Sequence, residues 1–357
     1  MRAAAAAAGA IALAAVGAPR AALPQTLHTG HGRIVAVAQD GRLLAWLAAG
    51  DTGCNTVHVL GARGATMTAP QPAAGTTTCH WDVTDGKPEL ALAAGASAAL
   101  WTLHEGGGAP VDYVMTAPLD GPEARVDRLA HSSDGTGLWL GGTAGAGTTL
   151  AYSVADVEYV DKLGCLSGGS CKRRIAGGGV YLVSDGVERL LAGSKPALEL
   201  SASAGRIAYV QAAAAPNGAP TANGALPVQV VSAASGAVVS SVKPRGVPIA
   251  LALAPDVLVV LTRGGKRDHV SWYDAASGTQ LGSVAVKSTV APELAANDDV
   301  AVYRLGRTVR GISLRSGKAR TLAHAGATPV DLSLSGSRVA WAENTGSSSR
   351  LRTLTLG

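Results

Sequence analysis

A chain of 357 residues that is 47% hydrophobic and only 15% charged is excluded from the disordered acidic or basic polymers. With 46 Gly, no Phe, six Trp and seven Tyr, it favours many tight turns over long helices. The net charge of +5 is uneven: residues 243–357 carry 15 Lys and Arg against 8 Asp and Glu, and residues 1–242 carry 15 against 17. That asymmetry marks a basic side, not a basic protein.

The first element in chain order is a leader. Met1-Arg2 precedes an apolar run over residues 3–18 closed by Pro19-Arg20, which reads as a secretory signal over 1–21 and is short for a membrane span. No second hydrophobic run of spanning length follows. Residues 22–357 are therefore expected as one domain outside the cytoplasm, secreted or in the cell envelope, with no membrane span after signal removal. An even set of cysteines in an exported chain (Cys54, Cys79, Cys165 and Cys171) points to two disulfides. Three pairings are possible; the near-neighbour one joins Cys54 to Cys79 and Cys165 to Cys171. A closed loop of about 25 residues contributes roughly 3 kcal/mol on the chain-entropy account. The alternative is a metal site, but neither spacing is a C-x-x-C knuckle.

One unit then recurs: a short apolar strand, a tight turn, and a second strand with an aromatic or Val near its centre. Copies begin at Arg33, Glu89, Arg125, Leu198, Ile249, Pro292 and Pro329. Trp46, Trp101, Trp139, Tyr209, Val259, Tyr303 and Trp341 sit at matching places, spaced by 55, 38, 70, 50, 44 and 38 residues. That is the period of propeller blades. A second element follows within a unit: strand, turn ending in Ser-Gly, strand. It occurs with Ser232, Ser235 and Gly236, with Asp274, Ser277 and Gly278, and with Ser313, Ser316 and Gly317. The Asp or Ser oxygen caps the turn, and Gly supplies the positive φ that closes the hairpin. Each unit thus has four strands, A to D. The 70-residue step contains an excess around residues 155–179, expected as an exposed insertion holding Cys165 and Cys171 and followed by Lys172-Arg173-Arg174.

The last unit stops after its third strand, at Gly357. The segment before the first A strand can supply the fourth, so residues near 23–29 are expected to pair with 351–356 and close the ring. The Ala runs are broken by Gly, Pro, Val and Thr and show no capped helical stripe. The expected fold is all-β: a single β-propeller of about seven four-stranded blades.

On the Tyr273-Asp274-Ala275-Ala276-Ser277-Gly278 turn, its two cousins and the seven A–B hairpins, residues 22–357 resemble the seven-bladed propellers of the WD40, TolB and quinoprotein-like type. The Gly-His and Trp-Asp signature of true WD40 repeats is absent. The resemblance implies the fold and carries no active site.

The chemistry-bearing motifs are sparse. There is no G-x-S-x-G elbow and no phosphate-cradling G-x-x-x-x-G-K-[ST] loop. The clusters at residues 106–108 and 177–179 read as turns, and residues 82–86 as a capped turn that lacks the acids of a calcium loop. On a propeller, B–C and D–A connections share one rim, the top, where such folds commonly bind ligands. Cys54 and Cys79 map there, as do His28, His31, His80, His104, His269 and His324. Imidazole ligates metals and titrates near neutral pH, so His104, His324 and His80 are candidate acid–base groups, and His28 and His31 candidate ligands of a divalent metal. Lys243, Arg245, Arg263, Lys266, Arg267, Lys287, Arg304 and Arg307 map to the top of the later units. Of these, Arg245, Lys266, Arg267, Arg304 and Arg307 are the candidate ligand-binding set for an acidic glycan, phosphate or cell-wall polymer.

Two functions compete. The first is a monomeric, non-enzymatic scaffold binding a protein or an acidic cell-envelope polymer. The second is a propeller lyase or hydrolase using top-rim histidines, with or without a divalent metal. The repeat without a catalytic signature favours the first; no cofactor is expected, and the compartment argues against nucleic acid.

Overall fold

The computed structural model describes residues 23–49, 55–61, 64–69, 88–105, 111–121, 124–130, 136–161, 172–184, 187–214, 220–221, 227–287 and 293–357. Within them every regular element is a strand. Alternating apolar and polar residues between glycine-bearing turns suit a pleated, half-buried surface.

The chain enters through β1 (Gln25–His31), which belongs to the last blade. Blade 1 is β2 (Arg33–Asp40), β3 (Leu43–Ala49), β4 (Asn55–Leu60) and β5 (Thr66–Thr68). Blade 2 is β6 (Leu90–Ala93), β7 (Ala98–Glu105), β8 (Val111–Pro118) and β9 (Arg125–Ala130). Blade 3 is β10 (Gly137–Ala146), β11 (Thr149–Tyr159), β12 (Arg173–Ser184) and β13 (Val187–Leu190). In blade 4, β14 (Ala197–Ser203) and β15 (Arg206–Gln211) are followed by a small hairpin, β16 (Ala213–Ala214) with β17 (Pro220–Thr221), and then by β18 (Val228–Ser232) and β19 (Val238–Val242). Blade 5 is β20 (Val247–Leu253), β21 (Val257–Arg263), β22 (Asp268–Asp274) and β23 (Gln280–Val286). Blade 6 is β24 (Leu294–Ala296), β25 (Val300–Leu305), β26 (Thr308–Ser313) and β27 (Ala319–His324). Blade 7 is β28 (Pro329–Ser335), β29 (Arg338–Thr345) and β30 (Ser348–Thr355), completed on its outer edge by β1.

Each blade is therefore a four-stranded antiparallel meander, and the protein is a seven-bladed β-propeller. The A strands touch one another in sequence around the ring, and β28 meets β2 to complete it. Closure follows the expectation with a small shift in extent: β1 pairs with β30 from Gln25 opposite Thr353 to His31 opposite Ser348. This pairing covers the edge of β30 and gives the last blade the same four-strand width as the others, with β1 as its outer strand.

The core is not one cluster but seven, each between consecutive blades. One B-strand residue anchors each of them: Trp46, Trp101, Tyr152, Tyr209, Val260, Tyr303 and Trp341 all face the preceding blade. Two members differ from the sequence expectation. Trp139 lies on β10, an A strand, because Arg125–Ala130 is not an A strand at all: it pairs with β8 as the outer strand of blade 2. The third apolar-turn-apolar copy was thus a D–A joint, whose local pattern is the same as that of an A–B hairpin. Val259 faces blade 6, and the equivalent position is its neighbour Val260. A one-residue step along a strand changes the face. The extra length expected around 155–179 takes the form of prolonged B and C strands in blade 3, with Glu158 opposite Arg174 and Tyr159 opposite Arg173.

Candidate functional site

The A strands line a central channel of about 390 Å³. Their upper halves carry an acidic residue at one equivalent position in four blades: Glu89, Glu199, Glu293 and Asp331. These are built into the fold. The Glu89 carboxylate accepts the Thr143 N–H of the next blade at 2.5 Å, and the Asp331 carboxylate accepts the Val37 N–H at 3.0 Å. Glu293 holds Arg304 by a two-pronged contact, Nε to Oε2 at 3.0 Å and Nη2 to Oε1 at 2.9 Å. Sequence reasoning missed this ring, although a signal was present. Each acid precedes a Leu, in Glu89-Leu90, Glu199-Leu200, Glu293-Leu294 and Asp331-Leu332. The Leu faces the preceding blade, and so the acid faces the following one.

The top rim is uneven. Blades 5, 6 and 7 turn from B to C within residues 264–267, 306–307 and 346–347. Blade 3 instead extends β11 and β12 into a long hairpin, where Arg173 lies over the Tyr159 ring at 5.1 Å. The extended β12 meets β16 of the blade 4 insertion, so blades 3 and 4 form a raised side and blades 5 to 7 a low one.

The candidate cations divide on this frame. Arg245 on the joint into blade 5, Lys266 and Arg267 on the blade 5 B–C turn, and Arg307 on the blade 6 turn are all exposed. The joint bearing Arg245 rests on the end of β21: a Cβ at Gly246 would lie 2.5 Å from the Arg263 carbonyl oxygen. Arg304 is the correction. Its side chain is 9% exposed and bound to Glu293, because it sits in strand β25 rather than in the turn that follows. It does not join the surface set.

Among the described residues, the candidate rim histidines do not form one cluster. His80 and all four cysteines (Cys54, Cys79, Cys165 and Cys171) lie outside the described residues. His104 is the penultimate residue of β7. His324 is exposed at the end of β27, with Nδ1 3.5 Å from the Thr308 hydroxyl and beside the Arg307 turn, whose carbonyl accepts the Ala325 N–H at 2.8 Å. His31 is exposed at the top end of β1. His28 sits lower in the same strand, three residues away and hence on the opposite face, so the two cannot share a metal. Its ring lies 5.0 Å from that of Trp46. Among the described residues, no group of three His, Cys, Asp or Glu is placed to hold a metal ion.

No family model matches the chain, and none of the curated proteins matches it. Solved structures do. A chain of the Mitotic Checkpoint Complex is similar over 100% of this chain and 99% of its own, at 11% identity and a TM-score of 0.50. BamB from Moraxella catarrhalis is similar over 94% of this chain and 100% of its own, at 10% identity and a TM-score of 0.48. The Dos1 propeller is similar over 94% and 95%, at 10% identity and a TM-score of 0.48. At such identities the likeness is one of fold.

Proposed function

We propose that this propeller is a monomeric, non-enzymatic binding scaffold whose top rim at blades 5 and 6 takes an anionic partner. The partner is an acidic protein segment or an acidic cell-envelope polymer. The observation that carries this reading is the segregation of charge in those two blades. Arg245, Lys266, Arg267 and Arg307 are exposed on top. Among the described residues, the carboxylates of the same blades are buried (Asp268 and Glu293) or lie on the opposite turns (Asp256, Asp274, Asp298 and Asp299). A partner on this sector meets one sign of charge on short, well-supported turns, and the field raises its association rate as well as its affinity. The acidic channel interior keeps such a ligand on the rim. The leader over residues 1–21 supports a place outside the cytoplasm, and sequencing the amino terminus of the exported protein checks it.

The test uses polyphosphate and a sulfated glycan as probes, read by fluorescence anisotropy across a salt series. Each rim cation is worth on the order of 1 kcal/mol near an anionic surface, so Lys266→Glu with Arg267→Glu lowers affinity at least about tenfold. Reversal of Arg315 and Lys318, on the C–D turn of blade 6, leaves it unchanged. Equal affinity in the rim variant and the unaltered protein refutes the reading.

A further inference from the structure

The strand that closes the ring is held by few side chains. In β1, Gln25, Thr26, Leu27, Thr29 and His31 are exposed, and only His28 and Gly30 are half-buried. Apart from its backbone ladder with β30, β1 is tied by Arg352, which donates to the Thr26 hydroxyl at 2.6 Å and to the Pro24 carbonyl at 3.2 Å. The one large side chain that β1 inserts into the seam between blades 7 and 1 is His28. Gly30 makes room for it: a Cβ there would lie 2.7 Å from the His28 Nε2.

What His28 meets in the seam is unusual. Its ring packs on Trp46 at 5.0 Å, and Trp46 stacks on His58 of β4 at 5.3 Å. Trp46 is 1% exposed, and its indole N–H has no hydrogen-bond partner among the described residues. His58 in turn has its Nδ1 3.5 Å from the Thr68 hydroxyl of β5. On this face Leu351 of β30, which pairs with His28, and Ala342 of β29 join the cluster around Trp46, and the buried Ser349 and Thr353 flank Leu351 along β30. Of the charged side chains of β29 and β30, Arg338 also faces blade 1, where it donates to the Gln39 side chain and the Leu43 carbonyl, and the others alternate to the opposite face. There Arg352 lies 3.8 Å from Glu343, and Glu343 accepts the Trp341 indole N–H at 3.0 Å. Arg350 and His31 are exposed, as is Arg33 at the start of β2. Two imidazoles thus share one tryptophan in a half-buried seam, where the carboxylate of Asp331, on the inner strand β28, is already engaged by the Val37 N–H.

We propose that this seam is an acid-sensitive latch, in which protonation of His58, beside His28 on Trp46, loosens β1 from the ring. The His58 imidazolium must form in a half-buried site beside a second imidazole, and no described carboxylate is hydrogen-bonded to either ring. Burial, and then the charge of His28, lower the pKa of His58 below its ordinary 6.5. When β1 leaves, it takes the His28 charge and its own share of the burial with it, so the pKa of His58 moves back toward that ordinary value. The open form therefore binds more protons below pH 6.5, and the closed seam loses stability as the pH falls through the lowered value. The latch is independent of the basic rim, since it uses none of its residues.

Hydrogen exchange on the full protein between pH 7.5 and 5 tests it, with protection factors corrected for the intrinsic pH dependence of exchange. Protection of the β1–β30 amides falls below pH 6.5, with uptake of one proton bounding the change at about tenfold per pH unit, while the outer strand β23 of blade 5 shows no such fall. His58→Gln flattens the response. A fall that is absent, that is equally steep in β23, or that persists in His58→Gln overturns the proposal. Should that variant not fold, the NMR titration of His58 in the unaltered protein decides: a midpoint below 6.5 supports the latch, and one at or above it overturns it.

Discussion

The buried pair of Arg304 and Glu293 makes a sharp prediction about stability. Replacing the arginine with leucine leaves the Glu293 carboxylate, 7% exposed, without its two guanidinium donors. Removing one partner of a buried pair costs about 3–5 kcal/mol, because an uncompensated charge remains in the interior. The same cross-strand position is Ala36 with Leu47 in blade 1 and Ala250 with Leu261 in blade 5. The double variant Glu293→Ala with Arg304→Leu therefore installs a pair the fold already accommodates, and it recovers most of the loss. Urea denaturation at neutral pH reads both: with a slope of about 3 kcal/mol per molar, the single variant moves the midpoint down by about 1 M, and the double much less. The coupling energy from the four-protein cycle exceeds about 2 kcal/mol. A single-variant cost below about 1 kcal/mol, or a double equal to the sum of the singles, refutes the buried-pair account. Arg304→Leu also leaves polyanion affinity unchanged, whereas Lys266→Glu with Arg267→Glu does not; a folded Arg304→Leu protein that binds weakly places Arg304 in the binding surface after all.

Further outcomes follow from the turns and the inter-blade anchors. Gly236 and Gly278 have φ of +75° and +73°, so alanine costs each about 1 kcal/mol of local strain. At 236 the added carbon also lies 2.2 Å from the Ala192 carbonyl, against 3.2 Å from the Ser241 carbonyl at 278, so Gly236→Ala has the lower melting temperature of the two. The Asp274 carboxylate accepts the Ser277 N–H at 2.7 Å and the Ser277 hydroxyl at 2.8 Å, and these bonds hold its pKa below the ordinary 3.8. Its contribution is thus present above pH 3.8 and lost as the pH falls through the lower folded value. Asp274→Ala melts below the unaltered protein at pH 7, and the gap closes in acid. Trp101→Ala costs about 3–5 kcal/mol in chemical denaturation, because that indole is 1% exposed, whereas Trp139→Ala costs less from its half-buried place on an A strand.

Much of the architecture is written in local patterns. Strand and turn alternate with a blade's period, and Ser-Gly turns at 236, 278 and 317 mark the outer hairpins of blades 4 to 6. The fourth strand of the last blade is β1, as the repeat pattern led one to expect. These features depend on a residue and its near neighbours, and so blade number and ring closure were legible. The exposed cations were legible for the same reason, since short polar turns on one rim follow from the strand order.

What only the tertiary structure decided concerns partners far apart in the chain. Residues 125–130 have the pattern of an inner strand, but the strand they pair with makes them an outer one. Val259 and Val260 are equivalent to the eye, and the register with β20 assigns one to each neighbouring blade. Arg304 reads as a rim cation until Glu293 is placed opposite it. His28 and His58 are isolated in the sequence, yet they meet on Trp46 because β1 crosses from one end of the propeller to close its other end. The physical reason is common to all four. A strand's side chains alternate between two faces with a period of two, so a single residue of register, set by a distant strand, determines which blade each one meets.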